Sequence, residues 1–388
     1  MKDKKKICII VLIFAIMTSI ALVENFKGLF VPLFKDNLGI TDTGIGVING
    51  LGTFAYLIFS FIGSILCQKY GQKRVFILGL MTMILSLVLL KFTGNKNTLY
   101  LSMFILNTSL ALTSIAINTI VPLISIGFQA VLMNLTHLCY GLGASSAQVI
   151  GSRMLDNDIT WRNIYFYSTI IFIILIIFLF KSDLPRADKV DNKDEKKKYT
   201  KNEMFIIICL IFALGFYVFS ELETGSWFIN YLRQNYGYSI KKSGNYMSIF
   251  FLMLTIGRLV GGFVVEKIGY LKSIIIYMLC AIGLYFVGII IGDKLLILVS
   301  ISGFFYSIVY PTVIVVISNL FKEKSSAVIG LVITASSGVK MILSFGFGKL
   351  NDIIGSYNAF YFIPIALIIS VSFIIIVSLR TSYSIREN

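Results

Sequence analysis

Residues 170–180 read IIFIILIIFLF. A membrane barrel strand alternates polar and apolar side chains over about ten positions, and this stretch does not alternate at all. A helix satisfies its own backbone in lipid and needs about 20 apolar residues to cross a bilayer. The stretch belongs to a longer run, 161–180. Similar runs stand at 7–34, 43–67, 75–92, 98–121, 129–153, 203–231, 243–265, 272–291, 294–320, 325–349 and 357–380. The pattern predicts an all-α membrane protein with twelve transmembrane helices, in two pseudo-symmetric halves of six.

Composition agrees. The chain has 388 residues, 57% apolar and only 14% charged, against about 25% charged in a soluble domain. The net charge of +15 does not signal nucleic-acid binding, because the basic residues sit at the ends of apolar runs rather than on one face. The five cysteines, at 8, 67, 139, 209 and 280, have no metal-site spacing and are expected to be core residues. One histidine in the whole chain excludes most metal clusters and catalytic triads. There is no Gly-x-x-x-x-Gly-Lys-Ser/Thr phosphate loop. No enzyme, cofactor or metal is expected.

Basic residues also set orientation. Met1–Lys6 is basic and leads directly into apolar sequence, which reads as a first span rather than a signal peptide. With that end inside, inner segments hold 21 Lys and Arg and outer segments 10. The bias predicts cytoplasmic termini in a multi-pass protein of the cell membrane. The longest polar stretch, 181–203, mixes both signs and contains a proline. It reads as a cytoplasmic linker, giving a first half at 1–180, a linker at 181–202 and a second half at 203–388.

The halves repeat. SILCQKYGQKR (64–74) follows the second run and GFVVEKIGYLK (262–272) the eighth. Both place a polar residue (Gln68, Glu266), a lysine (Lys69, Lys267) and a glycine (Gly71, Gly269) at the same spacing, in a register of 198. GSRML (151–155) and GKLND (348–352) form a second pair. A duplicated six-helix unit is the signature of a secondary transporter, with its site between the halves near mid-membrane.

These features resemble the major facilitator superfamily over essentially the whole chain. GFVVEKIGYLK resembles its cytoplasmic loop motif, which implies a gating role for Gly262, Glu266, Lys267 and Gly269, and for Lys69, Gly71 and Arg74 in the first copy. The first copy departs from that motif at Ser64 and Gln68. NLTHLCYGLGA (134–144), ELETGSW (221–227), FFLMLTIGRLVGG (250–262) and FFYSIVYPT (304–312) are similar to the branch holding fucose–proton symporters and sodium-dependent glucose transporters. The fucose-type carboxylate four residues before the first-span proline is replaced by Gly28. The resemblance implies that Glu221 is the branch's acidic residue and that Asn134 and His137 face substrate.

Charges inside apolar runs are costly, roughly 2.5–3.5 kcal/mol at the centre of a span, and mark functional sites. Here they are Glu24, Lys27, Glu221, Glu223, Arg258 and Lys340. Glu24 and Lys27 are three apart and share a helix face. Shifting Glu24 by 198 lands between Glu221 and Glu223, which are about 200° apart on a helix. Tyr217, Glu221 and Thr224 make one stripe, and Ser220, Glu223, Trp227 and Asn230 the other. Glu221, Glu223 and Glu24 are the ion-coupling candidates, and whichever of the span-seven pair turns from the cavity is expected to meet a base such as Lys340 or a neighbouring helix. Arg258 reads as part of the loop network. Trp227 either stacks on a sugar or belongs to the outer aromatic belt. The substrate set is Lys27, Asn49, Tyr56, Asn134, His137, Trp227, Asn230, Tyr306, Tyr310 and Lys340, with Asn107 and Asn118 as further polar positions.

The expected function is alternating-access transport of a small polar solute, a sugar or polyol, driven by a proton or sodium gradient in a monomer embedded in the lipid bilayer. Proton-driven export of an amphipathic or anionic compound is the alternative.

Overall fold

The computed structural model describes residues 2–124, 129–184, 199–321 and 324–386. Most of the predicted linker lies outside the described residues. The elements are α1 (Lys2–Leu38), α2 (Asp42–Tyr70), α3 (Gln72–Lys91), α4 (Lys96–Ile124), α5 (Gln129–Asp156), α6 (Trp161–Lys181), α7 (Lys201–Tyr236), α8 (Ile240–Ile268), α9 (Tyr270–Ile291), α10 (Ile297–Tyr306), α11 (Val309–Phe321), α12 (Ser325–Ala359) and α13 (Phe362–Arg386). Among the described residues there is no strand. Eleven stretches among the described residues are long and apolar enough to cross a membrane, with α10 and α11 together forming one. The twelfth span is α5, whose apolar character is diluted by Thr136, His137, Ser145, Ser146, Gln148 and Ser152.

The tenth span was expected to be continuous; its regular hydrogen-bond ladder lapses after Tyr306 and resumes in α11 at Val309, while Ser307 keeps helical angles (φ −56°, ψ −41°). Pro311 supplies the reason: it has no N–H to give the Ser307 carbonyl. The α7 start follows ordinary capping chemistry. Thr200 and Glu203 exchange side-chain and backbone bonds, and Lys324 Nζ reaches Glu203 at 2.8 Å.

The chain forms two compact units. One comprises residues 1–191 with 240–248; the other comprises 192–239 with 249–388. In the first, α1 packs on α5 and α6, and α3 on α4 and α6. In the second, α7 packs on α12 and α13, and α9 on α10 and α13. These pairings are the same once six spans are subtracted. In lipid there is little hydrophobic drive between helices, so small residues and interhelical hydrogen bonds carry association. The α1–α5 crossing shows it: a Cβ on Gly143 would fall 2.3 Å from the Thr18 carbonyl.

The duplication extends to backbone angles. Gly39 and Gly237 have φ of 62° and 65° at the ends of α1 and α7. Gly71 and Gly269 have φ of 86° and 92° between spans two and three and between eight and nine. Both pairs are 198 apart. Each turn glycine donates its N–H four residues back, Gly71 to Cys67 and Gly269 to Val265, both at 2.9 Å.

The core of the first unit is an aromatic ladder. Phe26, Phe30 and Phe34 of α1 meet Trp161 and Tyr165 of α6 edge to face, and all five are at most 1% exposed. At both ends, basic residues tie α3 to α6. Lys73 Nζ reaches the Phe180 and Ser182 carbonyls at 2.9 and 2.6 Å. At the other end Lys91 bonds Asn163, and Arg162 Nε donates to the Thr93 carbonyl at 2.8 Å.

Candidate functional site

In the first unit the polar groups are spread and partly open. Glu24 and Lys27 share a face of α1 and turn to different neighbours. Tyr140 of α5 donates its hydroxyl to Glu24 Oε2 at 2.8 Å, and Lys27 Nζ donates to Asn49 Oδ1 on α2 at 2.9 Å. Tyr56, one of the more exposed aromatics, bonds Ser114 of α4 at 3.1 Å, and Asn118 reaches the same Ser114 at 3.4 Å. His137 is exposed on α5. The side chain of Asn134 lies outside the described residues. Asn107 is spent on its own helix, bonding the Met103 carbonyl.

The second unit is built differently. Glu223 is fully buried. Trp227 Nε1 donates to its Oε2 at 2.7 Å, Ser344 Oγ to its Oε1 at 2.6 Å, and Lys340 Nζ stands 3.9 Å away. The predicted stripe of Ser220, Glu223, Trp227 and Asn230 therefore faces inward, and each member is at most 1% exposed. This corrects the expectation for Trp227. Its indole N–H is taken by a carboxylate and its ring packs edge to face on Phe347, so it sits in no interfacial belt and has no open face for a sugar. Asn230 donates to Gln234.

Glu221 lies on the other stripe, with its side chain 17% exposed. It accepts the Tyr217 hydroxyl on Oε2 at 2.5 Å, and Arg258 Nη2 stands 3.9 Å from Oε1. This too is a correction: Arg258 is placed against a carboxylate within the span rather than in the loop network. Tyr306 is buried, its hydroxyl on Ser220 Oγ at 2.7 Å and its carbonyl accepting Tyr217 at 2.7 Å. Tyr310 is half-buried on α11.

The loop residues form no comparable cluster. Lys69, Arg74, Gly262, Glu266, Lys267 and Gly269 are exposed, and Gly71 is buried in its turn. Lys69 sits over the Tyr70 ring at 5.2 Å. All five cysteines are free thiols. Among the described residues no cluster of metal-ligating side chains occurs.

A family model described as Major Facilitator Superfamily matches residues 7–342. The chain belongs to this superfamily. It is 25% identical to a protein TsgA homolog of Buchnera aphidicola subsp. Baizongia pistaciae, over 80% of this chain and 79% of that protein. It is 26% identical to a putative glucose/galactose transporter of Helicobacter pylori, over 61% and 63%. Among solved structures, the nucleoside transporter NupG superposes with a TM-score of 0.78 at 15% identity, covering 96% of this chain and 99% of that one. The E. coli fucose–proton symporter FucP does so at 0.63 and 17%, covering 96% and 99%. At such identities these two likenesses establish the fold. Members of the superfamily are transporters and not enzymes, so the polar groups inside the spans belong to a multi-span membrane transporter.

Ser114, Tyr140 and Ser344 escaped the sequence reading. Tyr140 stands three after His137, and its contact with Glu24 joins helices 116 positions apart, beyond any local pattern. Ser344 was within reach: it is one turn after Lys340 on the same face, the place for a hydroxyl that shares that lysine's partner.

Proposed function

We propose that this chain is a cell-membrane symporter that carries a neutral sugar or small polyol with a cation, both termini cytoplasmic. The observation that carries the reading is the polar set of the first unit. Glu24 with Tyr140, Lys27 with Asn49, and Tyr56 with Ser114 and Asn118 offer hydroxyl, amide, carboxylate and ammonium groups with one positive and one negative charge. A neutral polyhydroxy solute matches such a set, donor for acceptor, without a surplus charge to neutralise. The relative named as a putative glucose/galactose transporter points the same way. An anionic cargo is less well served, since two of the three bases inside the spans already stand near carboxylates, Arg258 at Glu221 and Lys340 at Glu223.

Glu221 takes the coupling role, because it is the more accessible of the two span-seven carboxylates. Glu223, enclosed by Trp227, Ser344 and Lys340, braces α7 against α12. The test is uptake of radiolabelled D-glucose and D-galactose into proteoliposomes under an imposed proton or sodium gradient. Accumulation that needs one of these gradients supports the reading. Thermal stabilisation of the purified protein by anions and by neither sugar replaces it with the exporter. Orientation is tested separately: a single Cys at Asn192 in a Cys-free background should resist an impermeant thiol reagent in intact cells.

A further inference from the structure

Arg162, at the start of α6, is held in a fixed pose and gives only part of its hydrogen-bonding capacity to the protein. Its Nε donates to the Thr93 carbonyl at 2.8 Å, and its guanidinium lies over the Trp161 ring at 4.3 Å. A guanidinium carries its N–H donors in a planar fork, and those on the two η nitrogens meet no acceptor among the described residues. Lys91, across the seam on α3, is placed in the same way. It donates to Asn163, the residue after Arg162, and its Nζ stands 5.8 Å over the Phe166 ring. The acids before α6 answer neither base. Asp156 pairs with Lys241 at 3.3 Å, and Asp158 forms no ion pair with Arg162 or Lys91. Beside these two cations the seam is apolar and open. Phe92 is 75% exposed, and Leu85 and Met81 of α3 and Phe166, Ile170 and Ile173 of α6 are exposed as well. We infer that the Arg162 end of the α3–α6 seam binds one anionic phospholipid, its phosphate on Arg162 and Lys91 and an acyl chain along the exposed side chains of the two helices.

The chemistry of the two bases fits a phosphate. An arginine fork matches two phosphate oxygens and is weakly hydrated, which suits the edge of a bilayer. Trp161 and Thr93 hold that fork in advance, so little side-chain freedom is lost on binding. Lys91 adds a second positive charge and keeps two hydrogens beyond the one given to Asn163. A zwitterionic headgroup would bring its own ammonium to two cations, and an anionic one brings none. The apolar side chains decide for a lipid over a soluble anion. Half of a bilayer core of about 30 Å is about ten helical residues. An acyl chain of that reach passes Phe166 and Ile170 to Ile173 on one side and Leu85 to Met81 on the other. The second unit lacks the site: in the 198-residue register Ile289 stands for Lys91 and Phe360 for Arg162. The other end of the same seam is basic but differently arranged. There Lys73 is given to the Phe180 and Ser182 carbonyls, and Lys69 lies over the ring of its own neighbour, Tyr70. In the orientation proposed above the Arg162 end lies in the outer leaflet, and binding does not depend on that orientation.

The experiment is native mass spectrometry, with thermal melting in parallel, on the delipidated full-length chain in neutral detergent. Dioleoylphosphatidylglycerol and dioleoylphosphatidylcholine are titrated separately. The wild type should bind one phosphatidylglycerol about tenfold more tightly than phosphatidylcholine and melt higher with it. Arg162→Gln should cut phosphatidylglycerol affinity about tenfold or more, through loss of the charge-assisted fork. That variant also loses the Thr93 contact, so Lys91→Gln is the second arm. Its amide can still donate to Asn163, Arg162 stays in place, and affinity should fall about fivefold. The double variant Lys69→Gln/Lys181→Gln removes two charges at the other end of the seam and should leave the preference intact. Equal binding of the two lipids overturns the inference, as does a wild-type preference surviving in both Arg162→Gln and Lys91→Gln. A preference abolished by Lys69→Gln/Lys181→Gln overturns it too, by reducing it to net charge. Glycerol 3-phosphate that stabilises as well as the lipid replaces the phospholipid by a soluble anion. A dimer of the delipidated chain that Ile170→Lys dissolves replaces it by a second copy.

Discussion

The two units share a backbone plan and differ in how they keep charge inside a membrane. In the first, Glu24 and Lys27 share one helix face, reach Tyr140 and Asn49, and stay partly accessible. In the second, Glu221 and Glu223 each stand 3.9 Å from a base, and the Glu223 cluster is closed. A duplicated fold thus keeps its turn angles, Gly39 with Gly237 and Gly71 with Gly269, while its polar interiors diverge. The teaching is a division of labour: an open, near-neutral set suits a solute that must come and go, and a set built on carboxylate–base contacts suits an ion.

The comparison breaks most sharply at Glu221. Glu221→Gln should lower gradient-driven accumulation on the order of tenfold or more, about 1.4 kcal/mol for each factor of ten. Solute exchange at equal concentrations should survive, because exchange never returns an empty carrier. Counterflow compared with concentrative uptake reads this directly, and loss of both would place Glu221 in solute binding instead.

Next comes stability. Lys340→Ala removes a base from beside a fully buried carboxylate, and breaking such a pair costs about 3–5 kcal/mol. A large drop in melting temperature in detergent should follow, with Glu223→Ala similar. Tyr140→Phe, at the matching level of the first unit, should lower melting far less, one partly buried hydrogen bond being worth about 0.5–1.5 kcal/mol. Equal losses in both would erase the contrast between an open and a closed set.

A smaller effect tests the shared backbone. Gly71→Ala and Gly269→Ala put a side chain where φ is near 90°, at about 1–3 kcal/mol each. The two costs should agree. A clear inequality in unfolding would show that the loops are equivalent in sequence and angle only.

The smallest is solute recognition. Tyr140→Phe deletes one partly buried hydrogen bond, about 0.5–1.5 kcal/mol. It should raise the half-saturating sugar concentration several-fold without altering the gradient requirement.

Much of this was legible in the chain. Apolar runs gave the spans, the 198-residue register located turns that prove geometrically matched, and buried charges marked both polar sets. What was hidden depends on rotation and distance. Glu221 and Glu223 are two residues apart, and no local rule says which turns inward; the answer came from Ser344 and Lys340, more than a hundred residues on. Arg258 stands four residues before the segment resembling a loop motif, and its approach to Glu221 on another helix is a contact that spacing does not encode. The lapse after Tyr306 was readable from Pro311, since a missing N–H acts four residues upstream.

The basic clamps on α6 have a mechanical consequence. Lys73 holds its last carbonyls, while Lys91 and Arg162 hold its start to the end of α3. Between these points its outer surface, Phe166, Ile170, Ile173, Ile177 and Phe178, is bare. A helix fixed at both ends cannot slide along its axis when the surrounding hydrocarbon thins or thickens. The mismatch, worth fractions of a kcal/mol per Å, must then be met by tilting α3 and α6 together or by deforming the lipid around them, which makes bilayer thickness a load on the first unit as a whole.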